Sequence, residues 1–130
     1  MFSVLSQSTE MFVGGEEAMR SSKREVSDCP VDAAMQVIAG RWKGTILWSL
    51  QDGPKRTSEL QRSIPGIPER ILIVRLHELV ADGVIEREEK KMLPRGVYYS
   101  LSSYGRTLSP VIELISRWGR SHLKRLSERG

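Results

Sequence analysis

The chain has 130 residues, of which 39% are hydrophobic and 28% are charged, the composition of an ordinary soluble domain with a net charge of +4. No apolar run approaches the roughly 20 residues of a membrane span, and the N-terminus lacks the basic start and apolar stretch of a signal peptide. A single cysteine excludes an internal disulfide framework and indicates a reducing, cytoplasmic compartment, while the positive charge mildly favours a polyanionic partner.

Residues 1–24 show no sustained hydrophobic period and predict a flexible tail, followed by one domain over residues 25–130. A first helix is expected from Pro30 to Gly40, because proline suits the first helical position and apolar residues recur at i, i+3, i+4 and i+7. These residues are Val31, Ala34, Met35 and Ile38. A second helix is predicted over residues 41–51, with four residues facing inward: Trp42, Ile46, Leu47 and Leu50.

A third helix is predicted over residues 58–64, where Ser58 and Gln61 have the spacing of a capping box. A Pro-Gly-Ile turn leads to a fourth helix over residues 68–82, which Gly83 ends. Two strand-like segments follow, over residues 84–91 and 97–101. A last helix should reach about residue 126, with a kink near Pro110. This order predicts a mostly helical α+β fold, the winged helix-turn-helix.

The fourth helix carries the pattern of a recognition helix. On a helical wheel, Leu72, Leu76 and Leu79 form the inward face, and Arg70, Val74 and His77 point the opposite way with Ile73 on the flank. A helix that reads a major groove needs such side chains. The candidate contacts are Pro68, Glu69, Arg70, Ile73, Val74 and His77. Alternatively, Ile73 and Val74 are buried against another element and the helix is structural.

Basic and hydroxyl residues around this helix are candidates for contacts with DNA phosphates, which give affinity without sequence information. They are Arg56, Ser58 and Arg62 near the third helix, and Lys90, Lys91 and Arg95 on the hairpin. The alternative is a solvated charged hairpin, since Glu86, Glu88 and Glu89 precede the tip. We expect those acids to lie at the hairpin base, away from DNA.

The last helix carries more apolar side chains than a monomer of this size is expected to bury, which favours a dimer interface over a fully packed core helix. The candidate interface residues are Leu108, Val111, Ile112, Ile115 and Trp118.

Several blocks together resemble the HxlR-type transcription regulators, winged-helix relatives of the MarR group. They are CPVDAAMQVIAGRWKGTILWSL, DGPKRTSELQRSIPGI, RLHELVADGVIER and YYSLSSYGR; they occur in the family's order and spacing, and the resemblance covers about residues 29–118. The resemblance implies a homodimer that binds a palindromic operator in the bacterial cytoplasm, at the nucleoid. It also implies that the first and last helices build the dimer interface and that the fourth helix reads DNA.

The chain departs from the family pattern in three places. Pro68 stands where Ser or Thr is usual, and Ile73-Val74 stand where polar residues are usual, so the operator sequence does not carry over. At the hairpin tip, residues 94–97 read Pro-Arg-Gly-Val where the family often has Pro-Pro-Arg-Val.

Cys29 precedes the proline that starts the first helix, where backbone N–H groups and the helix dipole favour a reactive thiolate. Some members of the resembled family sense oxidants or electrophiles through a cysteine at this position, which makes an oxidant or a small molecule a candidate effector. The alternative is an inert thiol, because Asp28 disfavours the thiolate and no second cysteine is present for an internal bridge.

Two other function classes fit the sequence less well. An enzyme is disfavoured, because one cysteine and two histidines make a poor zinc site and no glycine-rich phosphate loop follows a strand. No metal or cofactor is therefore expected. The second alternative is a winged-helix module that binds protein through Ile73 and Val74. The sequence favours a dimeric DNA-binding repressor.

Overall fold

In a computed structural model of the protein, residues 28–129 are described, and they form helices packed around a small antiparallel sheet. The expected tail over residues 1–24 lies outside this range. The helices are α1 (Pro30–Ile38), α2 (Lys43–Ser49), α3 (Thr57–Ser63), α4 (Glu69–Ala81) and α5 (Ser109–Arg129), with a 3₁₀ turn at Gly105–Leu108. The strands are β1 (Lys55–Arg56), β2 (Ile85–Lys90) and β3 (Gly96–Leu101). The expected mostly helical α+β class is confirmed.

One apolar core holds these elements together, and the predicted inward faces of α2 and α4 supply much of it. Burying such an aliphatic side chain contributes about 1.5–3 kcal/mol. The largest fully buried side chains are Ile46, Leu47 and Leu50, Leu60 and Ile64, Leu72, Leu76 and Leu79, and Val84 and Ile85. Trp42 is half-buried and packs against this core.

The sheet has the strand order β1-β3-β2, with both pairs antiparallel. The hairpin of β2 and β3 was expected, but β1 was not, because a two-residue strand is too short to show a period. Its pairing of Arg56 with Tyr98 ties the start of α3 to the hairpin. The hairpin, here called the wing, therefore has a fixed position relative to the helices.

Two predicted helix starts are wrong in detail. Helix α2 begins at Lys43, because Trp42 adopts a left-handed backbone conformation with φ of 79° and interrupts the helix expected from residue 41. Helix α3 begins at Thr57, where the backbone N–H of Arg56 donates to the Glu59 carboxylate at 2.7 Å. The predicted capping box of Ser58 and Gln61 is therefore replaced by a cap from Glu59, and Ser58 lies in the first turn.

The segment after β3 is anchored by Ser102. Its hydroxyl accepts a hydrogen bond from the Gly105 N–H at 2.8 Å and donates one to the Gly83 carbonyl at 2.6 Å. A Cβ on Gly105 would lie 1.8 Å from the Val84 carbonyl oxygen, so only glycine fits there. Since α5 begins at Ser109, Pro110 lies in its first turn, where the missing N–H is harmless, and the predicted kink is wrong.

Helices α1 and α5 leave large apolar side chains exposed. Val31 on α1 is 67% exposed, and Leu114 and Trp118 on α5 are 61% and 70% exposed. The predicted apolar face of α1 exists, but only Ile38 of its members is buried in the protomer. Between residues 28 and 129, no helix has the length and apolar content to cross a bilayer.

Candidate DNA-binding surface

Helix α4 presents a polar face to solvent because its leucines fix its rotation. Leu72, Leu76 and Leu79 have no exposed surface, whereas Arg70 and His77 on the other side are exposed. A ligand approaching this face therefore meets a guanidinium and an imidazole about two turns apart on the helix.

Ile73 and Val74 are half-buried rather than fully outward. The wheel placed Val74 opposite the leucines and Ile73 on the flank, but both side chains lose part of their surface to the protein. They stay open enough for an apolar contact at the edge of the exposed face, and neither belongs to the fully buried core. The role of this pair in DNA contact therefore stays a prediction.

The start of α4 is formed by Pro68 and Glu69, which are both exposed. Pro68 occupies the capping position in an extended conformation, with no side-chain hydrogen bond to the helix end. Glu69 is the acidic residue of the first turn, where it complements the positive end of the helix dipole. A carboxylate here repels phosphates, so Glu69 suits a base-edge acceptor better than a backbone contact.

The start of α3 lies beside the wing. Ser58 and Arg62 are exposed, and Arg56 is half-buried with its guanidinium Nε 3.7 Å from the Glu59 carboxylate. The backbone N–H of Arg56 holds the pKa of Glu59 below its ordinary value. The cap therefore stabilises the fold above the unfolded carboxyl's pKa and is lost as the pH falls through the lowered pKa of the folded state.

Tyr98 organises the basic side chains of the wing. The Lys90 ammonium lies 4.5 Å from its ring centroid and the Arg56 guanidinium 5.9 Å from it, both within cation–π range. Its hydroxyl donates to the Pro94 carbonyl at 2.9 Å. Sequence reasoning missed Tyr98, although period-two alternation with the buried Tyr99 puts it on the outward face.

Gly96 explains one departure of the wing from the family pattern. Its φ is 145°, which favours glycine, and a Cβ there would lie 3.2 Å from the Arg56 Cδ. The missing side chain leaves room for Arg56 to cross the wing. At the tip, Lys91 and Arg95 are exposed.

The acids of β2 are only partly at the hairpin base. Glu86 and Glu88 pair with Ser100 and Tyr98, but Glu89 pairs with Val97, next to the tip. The expectation that all three lie at the base is wrong for Glu89. Alternation places Glu89 on the face opposite Lys90, so the Lys90 face has cations at its tip end.

A buried ionic cluster joins α4 to the start of α2 and to Arg41 just before it, and sequence reasoning missed it. The side chain of Lys43 is 4% exposed, and its ammonium lies 3.5 Å from the Glu78 carboxylate. Arg75 pairs with the same carboxylate at 3.1 Å and donates from Nε to the Arg41 carbonyl at 2.9 Å. The sequence does contain a pattern that indicates a buried Lys43, since this residue shares the i, i+3, i+4, i+7 spacing of Ile46, Leu47 and Leu50.

The remaining candidate residues lie away from this surface. Cys29 is half-buried at the capping position of α1 and makes no side-chain capping bond. Of the α5 residues proposed for a dimer interface, Val111, Ile115 and Trp118 are exposed. Ile112 is 4% exposed and belongs to the core of its own protomer, and Leu108, in the 3₁₀ turn before α5, is half-buried against that core.

Helices α2, α3 and α4 followed by the two-stranded wing form the arrangement of a winged helix-turn-helix protein. The sequence model of the HxlR-like helix-turn-helix family matches residues 37–127, and the chain belongs to this family. It is a transcriptional regulator of the helix-turn-helix type.

Individual relatives agree. The uncharacterised helix-turn-helix transcriptional regulator YdeP of Bacillus subtilis (strain 168) is 42% identical over 107 residues, covering 82% of this chain and 84% of YdeP. The redox regulator HypR in its reduced form superimposes with a TM-score of 0.71 at 40% identity, over 77% of this chain and 99% of HypR. The reduced regulator YodB from B. subtilis gives a TM-score of 0.63 at 34% identity, over 71% and 91%.

The buried cluster yields a test of what holds α4 in place. Replacing Glu78 with glutamine leaves the buried Lys43 ammonium without its carboxylate, and we expect a loss of about 3–5 kcal/mol in the free energy of unfolding. Urea denaturation measures it. The matched control is Glu113→Gln, which breaks the exposed Glu113–Arg117 pair on α5 and should cost less than about 1 kcal/mol. Equal losses in the two variants would contradict a special role for the cluster.

Proposed function

We propose that the protein is a homodimeric repressor that binds a palindromic DNA operator, with α4 of each copy in a major groove. The observation that carries the proposal is the exposed Arg70 and His77 face of α4, held opposite three fully buried leucines. Two half-sites about one helical turn apart, roughly 34–36 Å, suit a two-fold dimer. Binding to chromosomal DNA would place the protein at the nucleoid of the bacterial cytoplasm.

On α4, we assign base contacts to four residues. Arg70 has the length and forked geometry to donate two hydrogen bonds to a guanine edge. His77 donates to a base or to a phosphate. Ile73 and Val74, half-buried beside them, offer methyl groups to thymine methyls, and Pro68 and Glu69 lie where the helix enters the groove.

We assign the phosphate contacts to the basic and hydroxyl residues around α4. Arg62 and Ser58 are exposed on α3, and Lys91 and Arg95 are exposed at the wing tip. Arg56 and Lys90 lie on the Tyr98 ring between these two groups. Such contacts position the protein and carry no sequence information.

The proposal is tested by selection of fragmented genomic DNA on the immobilised protein, followed by sequencing. We expect enrichment of a palindrome. Affinity for it should fall by orders of magnitude between about 50 and 200 mM salt if about six or more phosphates are contacted. Enrichment of no DNA, with a partner protein captured at an affinity indifferent to salt, would favour the alternative of a protein-binding module.

Arg70 gives the sharpest single prediction for base reading. Arg70→Ala should cost about 1–3 kcal/mol of operator affinity and relax the preference at one base-pair position. Competition binding with single-base operator variants measures both effects. The control is Arg120→Ala, which removes an exposed guanidinium from α5. A uniform loss over all sequences would assign Arg70 to the backbone instead.

The dimer is supported by the apolar surface that α1 and α5 leave uncovered. Beside it, Trp48 of α2 is 43% exposed and lines a cleft of about 230 Å³ with Ile38, Ile112 and Ile115. A contiguous exposed apolar surface of this kind is typical of protein interfaces. Because α1, α2 and α5 all contribute, a second copy seated here would cover the first and last helices together.

Ile115→Arg tests the dimer. A charge placed in an interface without a partner costs about 3–5 kcal/mol, so the variant should be monomeric by light scattering and bind the operator much more weakly. Ile115 is 46% exposed in one copy, so the protomer should keep its fold by circular dichroism. The control is Arg120→Ala, which should remain dimeric. Arg120 lies two residues from Trp118 and hence on the opposite side of α5. A dimeric Ile115→Arg variant would place the interface elsewhere.

Cys29 is proposed as an oxidant- or electrophile-responsive site. HypR, which is similar to this chain, is named a redox regulator. Here Cys29 is the only cysteine and occupies the N-cap position of α1, one of the two helices assigned to the dimer. Two such thiols can pair between the copies, or a single thiol can be oxidised, form a mixed disulfide with a small thiol, or be alkylated by an electrophile.

Mild oxidation should weaken operator binding by the wild type, and Cys29→Ser should abolish that response while binding normally under reducing conditions. Band shifts with diamide or a quinone measure the response, and non-reducing gels separate an intersubunit bridge from a mixed disulfide. Wild-type binding that is indifferent to both reagents would leave Cys29 as an inert thiol.

A further inference from the structure

The wing tip carries two large apolar side chains that the fold leaves in solvent. Met92 is 83% exposed and Leu93 is 84% exposed, more than any other large apolar residue among the described ones. Exposing both together is unfavourable for an isolated protein, and neither contributes to the core or to the apolar surface of α1 and α5. We therefore expect Met92 and Leu93 to contact a partner molecule at a site separate from the surface of α1 and α5.

The charges around the wing tip indicate which kind of molecule Met92 and Leu93 contact. Lys90 and Lys91 precede it and Arg95 follows it, and all three are exposed. Apolar side chains set among cations suit a polyanion with an apolar interior, which describes a DNA duplex with its phosphates outside and stacked bases within. An apolar protein partner has no need of the three cations.

The wing tip is tied to β3, and the wing is long enough to span half a turn of a DNA duplex. The Tyr98 hydroxyl bonds the Pro94 carbonyl at 2.9 Å, which ties the loop back to β3. Strand β2 has six residues and extends about 20 Å at roughly 3.3 Å per residue. The minor groove next to an occupied major groove is about half a helical turn away, roughly 17 Å along the axis. The wing is therefore long enough to reach it.

We propose that Met92 and Leu93 enter the minor groove beside the α4 site and wedge between two base pairs, so that the protein prefers operators with an easily unstacked step there. Minor-groove proteins insert Met, Leu and Pro in this way and kink the duplex. Pyrimidine–purine steps yield most readily, which would add sequence preference without a hydrogen bond to a base. This inference rests on the proposed DNA binding and adds a second reading site to it.

The test uses the full chain and the selected operator, with 2-aminopurine substituted at each step flanking the α4 site. Unstacking raises the fluorescence of this base, and we expect a rise at one flanking step when the wild type binds. Met92→Ser combined with Leu93→Ser should abolish the rise and leave the salt dependence of binding unchanged, because no charge is removed. Lys91→Ala is the matched control: it should keep the rise and reduce the salt slope by about one. Circular dichroism checks each fold.

The outcomes separate the two proposals. If the wild type binds the operator and no flanking step shows a rise, the wedge is overturned, the wing lies on the phosphates only, and the tip is open to a protein contact. If the double variant retains the rise, another residue unstacks the step and the assignment is wrong. If the genomic selection recovers no operator at all, the proposed function fails first, before the wing is tested.

Discussion

The burial of three leucines on one side of α4 is the constraint on which the DNA-binding surface depends. Leu72, Leu76 and Leu79 are completely enclosed, and each contributes about 1.5–3 kcal/mol. Turning the helix to present another face would expose all three, so the rotation of α4 is fixed by the core rather than by any ligand. Arg70 and His77 are outward as a consequence, before DNA is present.

A fixed rotation does not by itself fix the position of a helix. The ionic cluster supplies a further restraint on the position of α4. The carboxylate of Glu78 is shared by Lys43 and Arg75, and Arg75 also bonds the Arg41 carbonyl. Buried ion pairs add little net stability compared with apolar packing, but they accept few alternative geometries. We interpret the cluster as a positional restraint between α4 and the segment that joins α1 to α2.

Much of this architecture could be predicted from the sequence, and the parts that could not share a physical cause. Periodicity located α4 and its buried leucines because one long helix repeats its pattern over several turns. The capping of α3 by Glu59 competed with an equally plausible Ser58 signal, and only tertiary pairing of β1 with β3 placed the helix start at Thr57. The Lys43–Glu78 pair is a contact between residues 35 positions apart, which no local pattern specifies.

The same cluster offers a route from the proposed dimer surface to the proposed operator contacts. Helix α1 carries Cys29 at its start and ends at Ile38 in the core, and the segment that follows it leads to Arg41 and Lys43, the two anchors of α4. A change at Cys29 that shifted α1 would move those anchors. Because α4 is held rigidly by its leucines, it would respond by displacement of the whole helix rather than by local rearrangement. In the proposed dimer, small displacements are sufficient, since two half-sites must match DNA at once and an error in spacing affects both copies.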